Sequence, residues 1–207
     1  ADETIRAHEE ISRMSSDEIA QRDRALRTIL STGRQLTAIL DMRRLFQGIG
    51  SSMRDILGTD RVVIFSHHAE NRLKPAESVG LEPGQLAGPE CAPLRALVER
   101  AARDKSGYLE QGALAVPLIH DGKLLGALYA SRSDGRALRP RDLEMAEIFA
   151  LQASVALHNA RLYQTIRKRN DELLRLVNLK ETLAQRITEE IQGPVSAVDR
   201  ALTDLEG

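Results

Sequence analysis

Two glutamates and a proline, Glu189, Glu190 and Pro194, fall together in the stretch ITEEIQGPVSAV at 187–198. A carboxylate can exchange a proton or hold a cation, but it has no imidazole nitrogen on which a phosphoryl group can be carried. The other side chains able to do chemistry are scattered. His67, His68, His120 and His158 are the mid-chain imidazoles, and Cys91 is the single cysteine. One cysteine excludes an intrachain disulfide and a multi-cysteine zinc site, and it leaves dithiol redox chemistry without a resolving partner. Cys91 therefore reads as a structural thiol. No Ser-His-Asp arrangement, glycine-rich phosphate loop or paired-carboxylate motif with supporting context is present. The expectation is a chain with no catalytic residues and no metal site.

Composition narrows the partners. The 207 residues carry a formal net charge of -1, with both signs spread along the chain, so the basic stripe of a nucleic-acid binder is missing. Aromatics make up 3% and tryptophan is absent, which argues against a base-stacking surface or an aromatic cage. No run approaches the roughly 20 apolar residues of a membrane span and no signal peptide is visible. The expected compartment is cytoplasmic, with no membrane contact in this segment.

The elements that must position these residues follow from periodicity. SSDE at 15–18 fits a capping box, and apolar residues at helical spacing run on to Leu40. Gly33 weakens this helix locally. Asp41 caps a second helix that buries Leu45, Ile49, Met53 and Ile56 and stops at Gly58. RVVIFSHH from Arg61 is β-branched and short, hence a strand, and ENRLKPAESVG supplies a turn and a second strand. LEPGQLAGPECAP is loop by its Pro and Gly, PLRALVERAARDKSG is a short amphipathic helix, and YLE is a short strand. ALAVPLIHDGKLLGALYASRS is the clearest hairpin, with Asp121-Gly122 at its turn. Pro140 opens a helix whose broad apolar face, from Leu143 to Ala160, gives way beyond Tyr163 to a narrow seam. A wide stripe suits a globular core and a narrow one suits a partner helix.

This order of elements resembles a GAF domain. The words that carry the resemblance are DRVVIF, ALAVPLIHDGKLLGALYAS and RDLEMAEIFALQASVALHNARLYQ, and it covers 31–164. It implies an α+β fold: an antiparallel sheet with helices on one face and often a small-molecule pocket on the other. The division expected is an N-terminal signalling helix over 1–30, the GAF domain over 31–164, and a coiled-coil helix over 165–207. A fold does not name a ligand. The Asn-Lys, Phe, Asp-Glu pattern of cyclic-nucleotide GAF domains is not found. Cys91 in PECAPLRAL lacks the histidine beside a bilin-attachment cysteine, which argues against bilin. Haem would need an axial histidine; His120 sits in a turn, and His67 and His68 end a strand, so no cofactor is expected. Reduction of free methionine sulfoxide, one use of this fold, relies on more than one cysteine. Candidate lining residues for a small pocket are Val63, Phe65, Val79, Tyr108, Ala115 and Tyr129, although strand alternation alone does not assign their faces.

The opening stretch resembles the phosphoacceptor helix of dimeric histidine kinases, an apolar residue followed by Ser, His, Glu, an apolar residue, Arg, Thr, Pro and Leu. Glu189 takes the histidine position, Glu190 the acidic neighbour and Pro194 the proline, while Gln192 and Gly193 depart from the pattern. The resemblance implies a degenerate dimerisation helix without phosphotransfer at position 189. A generic signalling coiled coil with a chance proline is the other reading, though a proline inside a helix costs roughly 3 kcal/mol. Leu173, Leu176 or Val177, Leu183, Ile187, Ile191, Val195, Val198, Leu202 and Leu205 form a seam whose spacing stutters, which locally unwinds a left-handed supercoil. The expected protein is a non-enzymatic sensory module of bacterial two-component signalling. It would be a parallel homodimer through this helix and the helices flanking the GAF domain, with a partner kinase or response regulator. A true kinase fragment with its histidine replaced, and a ligand-free scaffold, remain as alternatives.

Overall fold

The computed structural model describes residues 27–68, 72–81, 85–88, 91–110, 112–134 and 136–205. The helix expected over 1–30 and its capping box at 15–18 lie almost wholly outside these residues. The chain divides into two units, 1–161 and 162–207.

The first unit is α+β. Its described elements are helix α1 (27–37), helix α2 (Met42–Leu57), strands β1 (Arg61–His68) and β2 (Arg72–Val79), a 3-10 turn at Gln85–Ala87, and helix α3 (Ala92–Asp104). Strands β3 (Tyr108–Glu110), β4 (Ala113–His120) and β5 (Lys123–Ser131) follow, then the first part of helix α4 (Pro140–Leu205). The five strands form one sheet in the order β2-β1-β5-β4-β3, every neighbouring pair antiparallel.

Local chemistry explains the boundaries. Asp41 accepts a hydrogen bond from the Arg44 backbone N–H at 2.9 Å, and Gly58 closes α2 in the left-handed region at φ 59°. Ile56 is only half-buried and Leu57 fills the core in its place. Between β4 and β5, Asp121 and Gly122 have φ of 47° and 73°, the pair of positive values that a two-residue hairpin turn requires. At the start of α4, the Asp142 carboxylate accepts from the Arg139 N–H at 2.8 Å, and Pro140 occupies the first turn.

Alternation along the strands divides the apolar side chains between two clusters. Val62, Ile64, Leu114, Val116, Leu118, Leu128 and Ala130 pack with α1, α2 and the first part of α4, where Phe149, Ala153 and Leu157 are fully buried. Val63, Phe65, Ala115 and Ala127 face the other way, under Leu94, Leu97, Val98 and Ala101 of α3. Three helices thus cover one face and α3 covers part of the second. Val155, expected in the core, is exposed. Gly33 has a packing role: a Cβ there would come within 2.8 Å of Gln152 Cβ, so its missing side chain lets α1 and α4 approach closely.

The sheet is also tied across its loops. Asp60, just before β1, accepts from the Ser133 N–H at 2.8 Å and from the Ser133 hydroxyl, and these bonds hold its carboxyl below the usual carboxylate range. Arg132 donates to the Leu57 and Gly58 carbonyls at 2.6 and 3.2 Å, satisfying the C-terminal end of α2.

Gly126 of β5 pairs with Ser66, and a Cβ at position 126 would overlap the Phe65 carbonyl oxygen. Gly126→Ala is therefore predicted to destabilise the protein by about 1–3 kcal/mol, the range for overpacking a tight site, read as a lower urea midpoint with an unchanged slope.

Candidate functional site

A cavity of about 310 Å³ opens beside β1 and β2 under α3. Phe65, Leu73 and Pro75 supply the strand side, Leu86 of the 3-10 turn a second wall, and Arg95, Val98 and Glu99 the helix side. The volume lies at the low end of ordinary small-molecule sites, and an apolar floor with few polar groups is their usual composition. Pro75 is where the chain geometry makes room. It has no N–H to donate, β2 is an edge strand, and the β1–β2 register shifts between Ile64 and Phe65, so Phe65 pairs with Pro75 beside a bulge. Arg95 donates to the Gly88 carbonyl at 2.8 Å, pinning the loop to the helix at the rim of the cavity.

Of the residues expected to line a pocket, Val63, Phe65, Tyr108, Ala115 and Tyr129 do share the α3-side cluster, but among them only Phe65 reaches the cavity. Val79 does not join them; it packs on the opposite face, where Gly50 leaves room for it. Leu73, Pro75, Leu86, Arg95, Val98 and Glu99 were not anticipated. A proline inside a strand was the available signal for the first wall, and the four-residue spacing of Arg95 and Glu99 beside buried Val98 was the signal for the second.

The far end of α3 is fixed by a polar cluster. Arg100 lies 3.8 Å above the Tyr108 ring and reaches Glu110 at 2.5 Å, while the Tyr108 hydroxyl donates to Asp104 at 2.8 Å. Tyr108 and Glu110 raise the Arg100 guanidinium above its ordinary value, and the Tyr108 hydroxyl with Arg103 holds the Asp104 carboxyl below its own.

On the α4 side, Arg161 donates to the Ser66 hydroxyl at 3.0 Å, to the Leu125 carbonyl at 2.7 Å and, at 3.5 Å, to the His67 carbonyl. Burial pushes its guanidinium down from the ordinary arginine value. His120 stacks on His158 with ring centroids 4.2 Å apart, a contact that nothing in the linear spacing disclosed. His120 ends β4 half-buried rather than standing in open turn, and His67 is half-buried at the end of β1; the side chain of His68 lies outside the described residues. Among the described residues no three His, Cys, Asp or Glu side chains are grouped to hold a metal ion, and no helix is long and apolar enough to cross a membrane. Cys91 is buried and free. A second cavity, about 240 Å³, lies on the α4 side of the sheet between β4, Gly107, Glu147 and Leu151.

The family model for the GAF domain matches residues 41–157, the span from the cap of α2 to near the end of α4's buried face. This chain belongs to the GAF domain family. A comparison with curated proteins finds no match. Among solved structures, the GAF domain of a sensor histidine kinase from Pseudomonas syringae pv. tomato is similar, with a TM-score of 0.57 and 16% identity over 75% of this chain and 99% of that one. A methyl-accepting chemotaxis protein fragment is similar at TM-score 0.54 and 19% identity, over 64% of this chain and 98% of its own. The GAF domain of an Acinetobacter phosphoenolpyruvate-protein phosphotransferase gives 0.54 and 14%, over 66% and 94%. At these identities the likeness is one of fold.

In this GAF domain, Tyr108→Phe is predicted to raise the Asp104 carboxyl toward its ordinary value, followed by NMR of its side-chain carboxyl carbon. A carboxyl held below its unfolded-state value adds stability above that range and loses it as pH falls through its folded value. The variant should accordingly be less stable than the parent at neutral pH, with the gap closing in acid as Asp104 is protonated.

Proposed function

We propose that this GAF domain chain is a sensory and dimerisation module of a cytoplasmic bacterial signalling protein. It takes a small molecule in the cavity between β1, β2 and α3 and relays its state through a parallel coiled coil of two copies. It carries out no reaction of its own. The observation that carries this reading is the second unit's apolar surface. Leu162, Ile166, Leu173, Leu176, Val177, Leu183 and Ile187 are all exposed in the single chain, each by about half or more of its surface, on a helix with no other element in its unit. A run of this kind is stabilised when a second helix removes it from water, and heptad-like spacing suits another copy of the same helix.

The stretch around Glu189 is read as a degenerate phosphoacceptor helix. The helix continues through Pro194, Glu190 is exposed, and the side chains of Glu189 and Pro194 lie outside the described residues. A glutamate there keeps a fixed negative charge, so the segment serves as a dimer stalk, passing conformation rather than phosphate to a partner kinase or response regulator. The similarity to domains named as parts of a sensor histidine kinase and a chemotaxis protein supports this setting.

Native mass spectrometry tests the proposal. The expected species is a dimer of the 22.9 kDa chain. Leu176→Asp combined with Leu183→Asp should weaken association at least about tenfold, since each buried leucine contributes roughly 1.5–3 kcal/mol, while the circular dichroism of the first unit is kept. A parent protein that stays monomeric at tens of micromolar would overturn it.

A further inference from the structure

The cavity and Arg161 lie on opposite faces of one short piece of β1. Phe65 turns its ring into the cavity, and the next residue, Ser66, presents its hydroxyl to Arg161 on the other side. We propose that Arg161 is a latch through which the occupancy of the cavity is felt at the end of the first unit. This rests on the sensory reading above and names the part that would make it work.

Three features support the assignment. First, the guanidinium gathers acceptors from two strands, the Ser66 hydroxyl and His67 carbonyl of β1 and the Leu125 carbonyl of β5, so a shift of β1 relative to β5 changes its bonds together. All three bonds leave one guanidinium nitrogen, Nη2, so a lysine ammonium on its shorter stem can replace them only in part. Second, β1 is held unevenly here. On the β5 side Gly126 stands opposite Ser66 and the strands approach closely; on the β2 side Phe65 meets Pro75, which donates no ladder bond, beside the bulge. An occupant pressing on Phe65 meets the less constrained side of the strand. Third, Arg161 is the last residue of the first unit, Ser66 is almost fully buried and Arg161 half-buried, so the contact is partly shielded from bulk water at the point where the buried face of α4 ends.

The test uses the full chain and fills the cavity with a side chain. Leu73→Trp places an indole at the β2 wall; the chain has no other tryptophan, so its emission reports the indole's burial. Leu86→Trp is the second filling variant should the first not fold. Each is made with Arg161, with Arg161→Met, which keeps the stem without the fork, and with Arg161→Lys. The readout is hydrogen exchange of the backbone amides at 158–170. The latch predicts that filling the cavity changes exchange there at least fivefold with Arg161, less than twofold with Met, and to an intermediate degree with Lys. An equal change in all three backgrounds would overturn the latch and leave the sensory reading standing. No change in any background would overturn both.

Discussion

The two-residue period of the β-strand is the constraint on which the rest depends. β1, β4 and β5 are buried on both faces, so each must supply an apolar side chain at nearly every position, and shifting one by a single residue would exchange its two faces. The Asp121-Gly122 turn and the bulge between Leu118 and Ile119 together set the register of β4 against β5, and Gly126 fixes how near β1 can lie. With the register held, Phe65 can serve the α3 side while Ser66 serves α4. Antiparallel sheets commonly leave one face to water. This one is covered by α1, α2 and α4 on one side and by α3 on the other, and the cavity lies where α3's cover meets the edge strand and its proline.

That account also explains what could be read in the sequence. β-branched runs, the Asp-Gly turn, Asp41, Gly58 and Pro140 are local signals, and each marks the element it was expected to mark. The division of side chains between faces is not local. Val63 and Val79 look alike along the chain, yet the first packs under α3 and the second against α2, because the β1–β2 register sets Val79 opposite Val62, which faces α2, and sets Ser78 opposite Val63. Gly33 looked like a weak point in a helix and is a contact, which depends on Gln152, more than a hundred residues away. The His120–His158 stack and the Arg161 bonds likewise join residues far apart in the chain. Charged or aromatic types at those positions carry no mark of what they will meet.

α4 serves two environments in turn. Up to Arg161 its apolar face is wide and made largely of alanine, with Phe149 and Leu157 filling the core, which allows close approach to the sheet. From Leu162 to Ile187 the large apolar residues are exposed. Small side chains suit a helix lying on a sheet, and leucines in a narrow seam suit a helix meeting its own kind. The proposed relay uses this change of partner: one helix whose first part reports on the sheet and whose second part pairs with a copy.

Pulsed electron–electron double resonance on that pairing is the most direct test of the account. A spin label is placed at Lys168→Cys in a Cys91→Ala background, so that one label is carried per chain. Parallel helices packed about 8–10 Å apart put the two labels across the same level of the seam, and the predicted distance, tethers included, is below about 30 Å. An antiparallel pair centred on residue 189, the middle of the 173–205 seam, would separate them by about 60 Å along the axis at 1.5 Å per residue. A distance in that longer range, or no dipolar modulation at all, would contradict the parallel relay.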